Sequence, residues 1–251
     1  MQDKQKLQAG LSLIFAVGQR PSVDDIERLL AASDSSLLGA RITHRPANEE
    51  GWVELLANGL TFDLAGLAPA APASLPAARH CFGVGANLAA SQLEAVTLVP
   101  GQHIAGGNAM MPVVKTMAGL IANLALHLTA KAVCWHPAGT WMDPNYFARI
   151  VLNWQSGGAF PALGLTAIEQ ADDGSVLSNG LSHFVGQEIQ VEGAPGEAAA
   201  DTVKLAMRVI DYMVIHGPLR ASRRLEGPSG ETLVAEPSQY GQVVWIWRNA
   251  T

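Results

Sequence analysis

The stretch AVCWHPAGTWMDPNYF, residues 132–147, carries the signals for both a strand and a helix and decides how the fold is built. KAVCWH, residues 131–136, is a short apolar run that predicts a strand. Asp143 followed by Pro144 predicts an N-cap and the first position of a helix. The stretch therefore predicts a buried strand that leads through an Ala-Gly turn into a helix.

The same stretch contains a candidate catalytic pair. Side chains alternate along a strand, so we expect Cys134 and His136 on one face. A cysteine nucleophile needs a base within hydrogen-bonding reach and a lowered thiol pKa. Two interpretations remain open. One is a hydrolase or transferase that uses Cys134, His136 and a carboxylate such as Asp143 or Glu188, and the other is an inert thiol that fills an apolar strand.

Outward from this stretch, short strands alternate with helices. Ser22 predicts the N-cap of a helix. Apolar residues at helical spacing predict two long helices, at residues 113–128 and 197–216. The predicted strands include residues 11–17, 39–46 and 51–64. This pattern predicts an α+β fold, with mixed or antiparallel sheets, helices packed on one face, and two split β-α-β (ferredoxin-like) halves.

One Ala- and Pro-rich segment, AGLAPAAPASLPAA at residues 65–78, suits neither a helix nor a strand throughout its length. We expect it to be a covering loop or a linker. It separates an N-terminal strand-helix-strand-strand half, residues 1–64, from a C-terminal α+β half, residues 79–251. We expect the two halves to form one compact unit.

Composition narrows the class of protein. Of the 251 residues, 49% are hydrophobic and only 15% are charged, which is typical of a folded globular chain. The net charge is −6, and there is no basic stripe, so nucleic acid is not an expected partner. Lys115, Asn123 and His127 interrupt the most apolar segment, which favours a core helix over a membrane span.

The first twenty residues look like a signal peptide, with lysines at positions 4 and 6 before the apolar run at 11–17. The run is short and an amphipathic helix follows directly, so we expect a first strand and a cytoplasmic protein.

The sequence predicts no metal site and no cofactor. The seven histidines form no HxxxH or HxH pair, and neither GxxxxGK[ST] nor GxGxxG occurs. Cys81 and Cys134 cannot build a disulfide scaffold, although a single bridge between them remains possible.

Aromatic residues supply the candidates for a binding surface. Trp245 and Trp247 share one face of a C-terminal strand that has little chain left to cover it, and tryptophan is a frequent anchor of protein interfaces. Glu188 interrupts an apolar strand, on the face opposite Ile189 and Val191. The candidate binding residues are Trp135, His136, Trp141, Glu188, Trp245 and Trp247.

Three segments carry a resemblance to a known family: VCWHPAGTWMDPNYF, GGAFPALGLTAI and SNGLSHFVGQEIQV. They resemble an uncharacterised bacterial family, the domain of unknown function numbered 4261, over about residues 130–216. The third segment departs from the family pattern at Val185, which lies between Phe184 and Gly186. The resemblance implies the fold and no catalytic residues.

We therefore expect a non-enzymatic module that binds another protein. An immunity protein or a secretion-system accessory protein, which neutralises or escorts a toxin or a secretion-system component, fits this expectation. The expectation rests on small acidic α+β proteins without catalytic motifs often acting as binders. A homodimer paired through the C-terminal strand is a further possibility.

Overall fold

Strand β1, Leu11–Ala16, is a central strand of the first sheet, and its sequence LSLIFA explains that position. Leu11, Ser12, Leu13, Ile14 and Phe15 are all fully buried, so both faces of the strand are covered. Continuous burial of this kind is typical of a strand with a layer on each side. The apolar run that looked like a signal-peptide core is therefore a core strand, and the lysines at positions 4 and 6 lie outside the described residues.

The computed structural model describes residues 9–32, 39–85, 89–194, 196–227 and 229–248. The chain divides into two compact units, Met1–Gly158 and Ala159–Thr251. The elements of the first unit are β1, α1 Val23–Ala32, β2 Arg41–His44, β3 Trp52–Ala57, β4 Leu60–Ala65, β5 His80–Phe82, β6 Leu93–Pro100, α2 Met111–His127, β7 Ala132–Trp135, β8 Thr140–Met142 and α3 Pro144–Gln155.

The first unit contains an eight-stranded sheet in the order β2-β3-β4-β6-β1-β7-β8-β5. All its strand pairs are antiparallel except β5 with β8. Helix α2 packs on β1, β6 and β4, and α3 packs against α2. Strands from both sides of residues 65–78 enter this sheet. The contacts thus divide the chain between Gly158 and Ala159, and not at the Ala- and Pro-rich segment where we expected the division.

The Ala- and Pro-rich segment covers one face of this sheet. Ala73 and Leu75 pack against a buried cluster that includes Ile14 and Cys134. Arg20 anchors the segment, because its guanidinium donates to the carbonyls of Gly66 and Ala70. The same Arg20 forms an ion pair with Glu94, Nε to Oε2 2.8 Å, on β6. The segment is therefore a lid over the sheet, held by Arg20 and by main-chain hydrogen bonds such as that from the N–H of Ala73 to the carbonyl of Ala95, 3.0 Å.

Local signals fixed the start of two helices. Ser22 and Asp25 form a reciprocal capping box at α1, since each main-chain N–H donates to the other's side chain. Asp143 accepts from the N–H of Tyr146 at 2.8 Å and caps α3, as the sequence predicts.

One predicted strand is in fact a hairpin. Residues 51–64 fold into β3 and β4, which pair antiparallel around Asn58 and Gly59. Both turn residues have positive φ, 50° and 77°, which is the backbone that an Asn-Gly turn between two strands adopts. The Asn-Gly pair carried this signal in the sequence.

The second unit contains α4 Ala162–Leu165, β9 Ala167–Gln170, β10 Val176–Asn179, α5 Ser182–Val185, β11 Glu188–Val191, α6 Ala199–His216, β12 Arg223–Glu226, β13 Thr232–Pro237 and β14 Val243–Arg248. Its six strands run in the order β12-β13-β14-β11-β10-β9. Helix α6 packs on β9, β10 and β11. Because Ile189 and Val191 are buried, that face of the sheet is the one beneath α6.

The α+β class is confirmed, since both units combine helices with a mixed sheet. The strand orders differ from the expected ferredoxin-like halves, because a ferredoxin-like β-α-β-β-α-β fold has a four-stranded antiparallel sheet and these sheets have eight and six strands. Within the described ranges, no helix combines the length and the apolar character that crossing a membrane requires.

Candidate functional site

Cys134 lies in the core of the first unit. Its neighbours across the sheet are Ser12 on β1 and Trp141 on β8, and its side chain is 0% exposed. Burial raises the pKa of the Cys134 thiol to about 12, and the nearby Trp141 side chain offsets only part of that increase. A thiol with this pKa is protonated at neutral pH, which is the opposite of what a cysteine nucleophile needs.

Ser12 is a hydrogen-bond partner of His136, whereas the catalytic interpretation requires a bond between His136 and Cys134. Nε2 of His136 lies 2.8 Å from the hydroxyl oxygen of Ser12, and that hydroxyl lies 2.7 Å from the hydroxyl of Thr97. The three side chains therefore link β6, β1 and the end of β7 on the face that carries Cys134. Ser12 is 0% exposed, so its hydroxyl is a structural link and is not open to a substrate.

A glycine makes room for this arrangement. A Cβ on Gly10 would come within 2.9 Å of the carbonyl oxygen of Leu98 and of a methyl carbon of Val99, and within 3.4 Å of Nδ1 of His136. Any side chain at position 10 would press on main-chain atoms and on the imidazole. Sequence reasoning missed Ser12, Thr97 and Gly10, because their partners are distant in the chain.

The hydrogen bonds of Asp143 and His136 lead to different elements. Asp143 accepts a hydrogen bond from the main chain of α3, while His136 bonds Ser12. Each of these side chains therefore has a structural role that the surrounding strands and helix explain.

Trp135 and Trp141 are core residues. Their exposed fractions are 0% and 5%, so the expectation that they line a recognition surface is not met. Both lie on short strands, β7 and β8, that are buried at every position. Of the binding candidates in this stretch, only His136 is partly exposed.

Cys81 and Cys134 cannot form the disulfide that the sequence left open. Both pair with Trp141, from the two sides of β8, so β8 separates them. Two strand spacings place their Cα atoms about 10 Å apart, whereas a disulfide needs less than about 7 Å. Both thiols are free, with Cys81 exposed and Cys134 buried.

The first unit also has a cavity of about 390 Å³ beside Cys81. Apolar side chains dominate its lining, which includes Leu75, Pro76, Val84, Leu93 and Trp141. No group of three or more potential metal ligands occurs in the part of the chain that the structure describes. The cavity therefore offers apolar contacts and few hydrogen-bonding groups.

Glu188 is held by a set of local donors. Its carboxylate accepts from the N–H groups of Gly180, Leu181 and Ser182 at 2.9–3.2 Å, and from the Ser178 hydroxyl at 2.6 Å. As the sequence predicts, Glu188 lies on the face opposite the buried Ile189. These four bonds fix the turn into α5, so Glu188 stabilises the second unit from within.

Trp245 and Trp247 lie on the face of the second sheet opposite α6. Trp245 pairs with Gln190 on β11, and Trp247 pairs with Val234 on β13. Trp245 is 45% exposed, while the alternate residues Val244 and Ile246 are 0% and 1% exposed on the face beneath α6. The prediction that the two tryptophans share a face is confirmed.

The two tryptophans form one side of a groove of about 450 Å³, which we call the tryptophan groove. Its lining includes Asp173, Ser175, Gln190, Glu192, Trp245 and Trp247. Gln190 donates to the Ser175 hydroxyl at 3.2 Å, which holds the middle of the groove. Asp173 and Glu192 bring carboxylates to the two tryptophans. Sequence reasoning missed both residues, because strand register places them there.

Strand β14 has no free edge. It pairs antiparallel with β13 and parallel with β11. A homodimer that adds strand to strand through β14 is therefore excluded, because both rows of its hydrogen-bonding groups are already used inside the sheet.

Comparisons with protein-family models, with curated proteins and with solved structures found no match. The resemblance to the family numbered 4261 stays a prediction.

Proposed function

We propose that the protein works by binding another protein, and that the tryptophan groove is the contact surface. The observation that carries this proposal is the pair of tryptophans on a sheet face that α6 leaves uncovered, with Trp245 45% exposed. Tryptophan combines a large apolar surface with an N–H donor, and it is enriched among the residues that dominate binding energy. A groove beside it offers a concave place for a partner's side chain.

We further propose a biological setting in line with this role. A bacterial, cytoplasmic immunity or secretion-system accessory protein would neutralise or escort a toxin or a secretion-system component. Two observations support this setting. Cys81 and Cys134 are both free thiols, which suits a reducing compartment, and the net charge of −6 suits a partner of opposite charge.

A capture experiment with matched variants tests the binding function. Tagged wild-type protein, Trp245→Ala and Trp247→Ala are incubated with a lysate of the native host, and bound proteins are quantified by mass spectrometry. Ile215→Ala is the control, since Ile215 is 67% exposed but lies on α6, the helix that packs on the other face of the sheet. We expect the same partner with wild type and Ile215→Ala, and its loss with either tryptophan variant.

The rival function, a hydrolase or transferase that uses Cys134 and His136, requires that purified wild type and Cys134→Ala differ in the chemistry they perform but not in folding, and we expect no such difference. Cys134→Ala should retain the captured partner in full. Retention of the partner by both tryptophan variants, or capture of nothing by the wild type, would overturn the proposed function. Circular dichroism of each variant shows that the fold is intact.

A further inference from the structure

We propose that the tryptophan groove takes a cationic side chain, an arginine or a lysine, from a basic segment of the partner protein. This inference rests on the proposed function and adds the chemistry of recognition. It follows from three observations. Carboxylates surround the two indole rings, the carboxylates of Glu192 and Glu236 have no internal partner within the described ranges, and the net charge of the chain is −6.

Register places a carboxylate beside each tryptophan. Glu236 on β13 pairs directly with Trp245. The N–H of Glu192 donates to the carbonyl of Ile246 at 2.8 Å, which brings Glu192 beside Trp247. Asp173, in the turn between β9 and β10, also lines the groove. Negative charge therefore surrounds the aromatic wall.

These carboxylates are available to a partner. Within the described ranges, the side chains of Glu192 and Glu236 have no hydrogen bond or ion pair with the protein, and both residues are exposed. Asp173 accepts hydrogen bonds from Ser175, including one from its N–H at 2.9 Å. Hydrogen bonds from Ser175 lower the pKa of Asp173, so this group is ionised at neutral pH.

The combination of an indole face and a carboxylate selects for a cation. The face of tryptophan attracts a guanidinium or ammonium group more strongly than other aromatic rings do. A carboxylate beside the ring adds a charge-assisted hydrogen bond, which is bidentate for arginine. An apolar side chain in the groove would remove Glu192 and Asp173 from water without replacing their hydrogen bonds, which is unfavourable. Arg224 lies on the same face, but Val234 separates it from Trp247.

Two peptides of equal shape test the inference directly. The probes are acetyl-Gly-Arg-Arg-Gly-amide and its neutral analogue, in which citrulline replaces both arginines. The indole N–H signals of Trp245 and Trp247 are followed by NMR as each peptide is added to the full chain. We expect the arginine peptide to shift both signals and to bind at least about fivefold more tightly than the citrulline peptide.

Charge-neutral variants extend the test. Glu192→Gln should weaken binding of the arginine peptide by about tenfold, and raising the ionic strength from about 0.05 M to about 0.5 M should weaken it further. Glu49→Gln removes the same charge from an exposed site in the first unit and should leave the affinity within about twofold. Equal binding of both peptides, no binding of either, or no effect of Glu192→Gln would overturn the inference.

The inference and the proposed function can fail separately. If the captured partner is lost with Trp245→Ala but is retained within about twofold by Glu192→Gln and Glu236→Gln, the groove binds an apolar group. In that case protein binding stands and cation recognition is wrong. If the tryptophan variants also retain the partner, both proposals are wrong.

Discussion

Cys134 shows how strongly its surroundings set the chemistry of one residue. A cysteine two positions before a histidine has the spacing of a nucleophile and its base, and on a strand the two side chains do share a face. Burial in the first sheet raises the thiol pKa to about 12, and His136 turns to Ser12 on β1. The identities of the two residues could be read from the sequence, but the thiol pKa and the partner of His136 could not, because the packing of other strands determines them.

Thiol reactivity should separate the two cysteines. Cys81 is exposed and Cys134 is fully buried, so iodoacetamide at neutral pH should modify Cys81 and leave Cys134 unmodified in the folded protein. In denaturant both should react. Mass spectrometry of the digested protein measures each site, and rapid modification of Cys134 in the native state would contradict a buried thiol of raised pKa.

The ion pair beneath the lid should make stability depend on pH. The hydrogen bond from Arg20 lowers the pKa of Glu94 below its ordinary value of 4.5. The stabilisation is therefore present above about 4.5 and is lost as the pH falls through the lower, folded-state pKa. Glu94→Gln should lower the free energy of unfolding by about 1–2 kcal/mol at pH 7 and by less in acid.

Urea unfolding at several pH values measures this dependence. Glu169→Gln, an exposed carboxylate on β9, is the control and should change stability by less than about 0.5 kcal/mol. An equal effect of Glu94→Gln at pH 7 and in acid would show that the ion pair with Arg20 adds nothing.

The helix starts could be predicted from residues close together in the sequence, but the short strands that depend on pairing with other strands could not. The capping box at α1 and the N-cap Asp143 at α3 depend on residues a few positions apart, and the structure confirms both. Strands β8, β10 and β12 have three or four residues, which is too short for periodicity to reveal them. These short strands form because they pair with neighbouring strands. The same pairing sets the register that brings Glu192 beside Trp247.

The turn into α5 should depend on Glu188. Removal of its carboxylate leaves three main-chain N–H groups and the Ser178 hydroxyl without that acceptor. Glu188→Ala should therefore lower the free energy of unfolding by about 2–4 kcal/mol. Chemical denaturation measures the change. Glu236→Ala, an exposed carboxylate on the same face, is the matched control and should have an effect below about 0.5 kcal/mol.

This comparison distinguishes a structural glutamate from a binding one. If Glu188→Ala is as stable as the wild type, then the carboxylate does not organise the turn, and its place among the candidate binding residues would be restored.

Across the whole molecule, the buried cysteine-histidine stretch and the two C-terminal tryptophans lie in different compact units. The first unit encloses Cys134 and Trp141 beneath the lid and buries Trp135 on the other face of its sheet, while in the second unit Trp245 is 45% exposed. The sequence predicted the α+β class and the shared face of Trp245 and Trp247. It did not predict the division at residue 158, because the Ala- and Pro-rich segment that looked like a linker packs over the first sheet.

Deletion of residues 240–251 should unfold the second unit. The deletion removes β14, whose two neighbours would each lose a row of hydrogen bonds. We expect susceptibility to proteolysis throughout residues 159–239, measured by limited trypsin digestion. A deletion product that stays folded and resists trypsin throughout this range would contradict the central place of β14 in the sheet.

Footprinting on the bound complex tests the central claim most directly. Tryptophan oxidation by hydroxyl radicals is measured for each indole with and without the captured partner. Trp245 and Trp247 should be protected on binding, Tyr240, at 84% exposed, should stay reactive, and the buried Trp135 should be unreactive in both states. Unchanged oxidation of Trp245 and Trp247 in a complex that does form would contradict the assignment of the tryptophan groove as the contact surface.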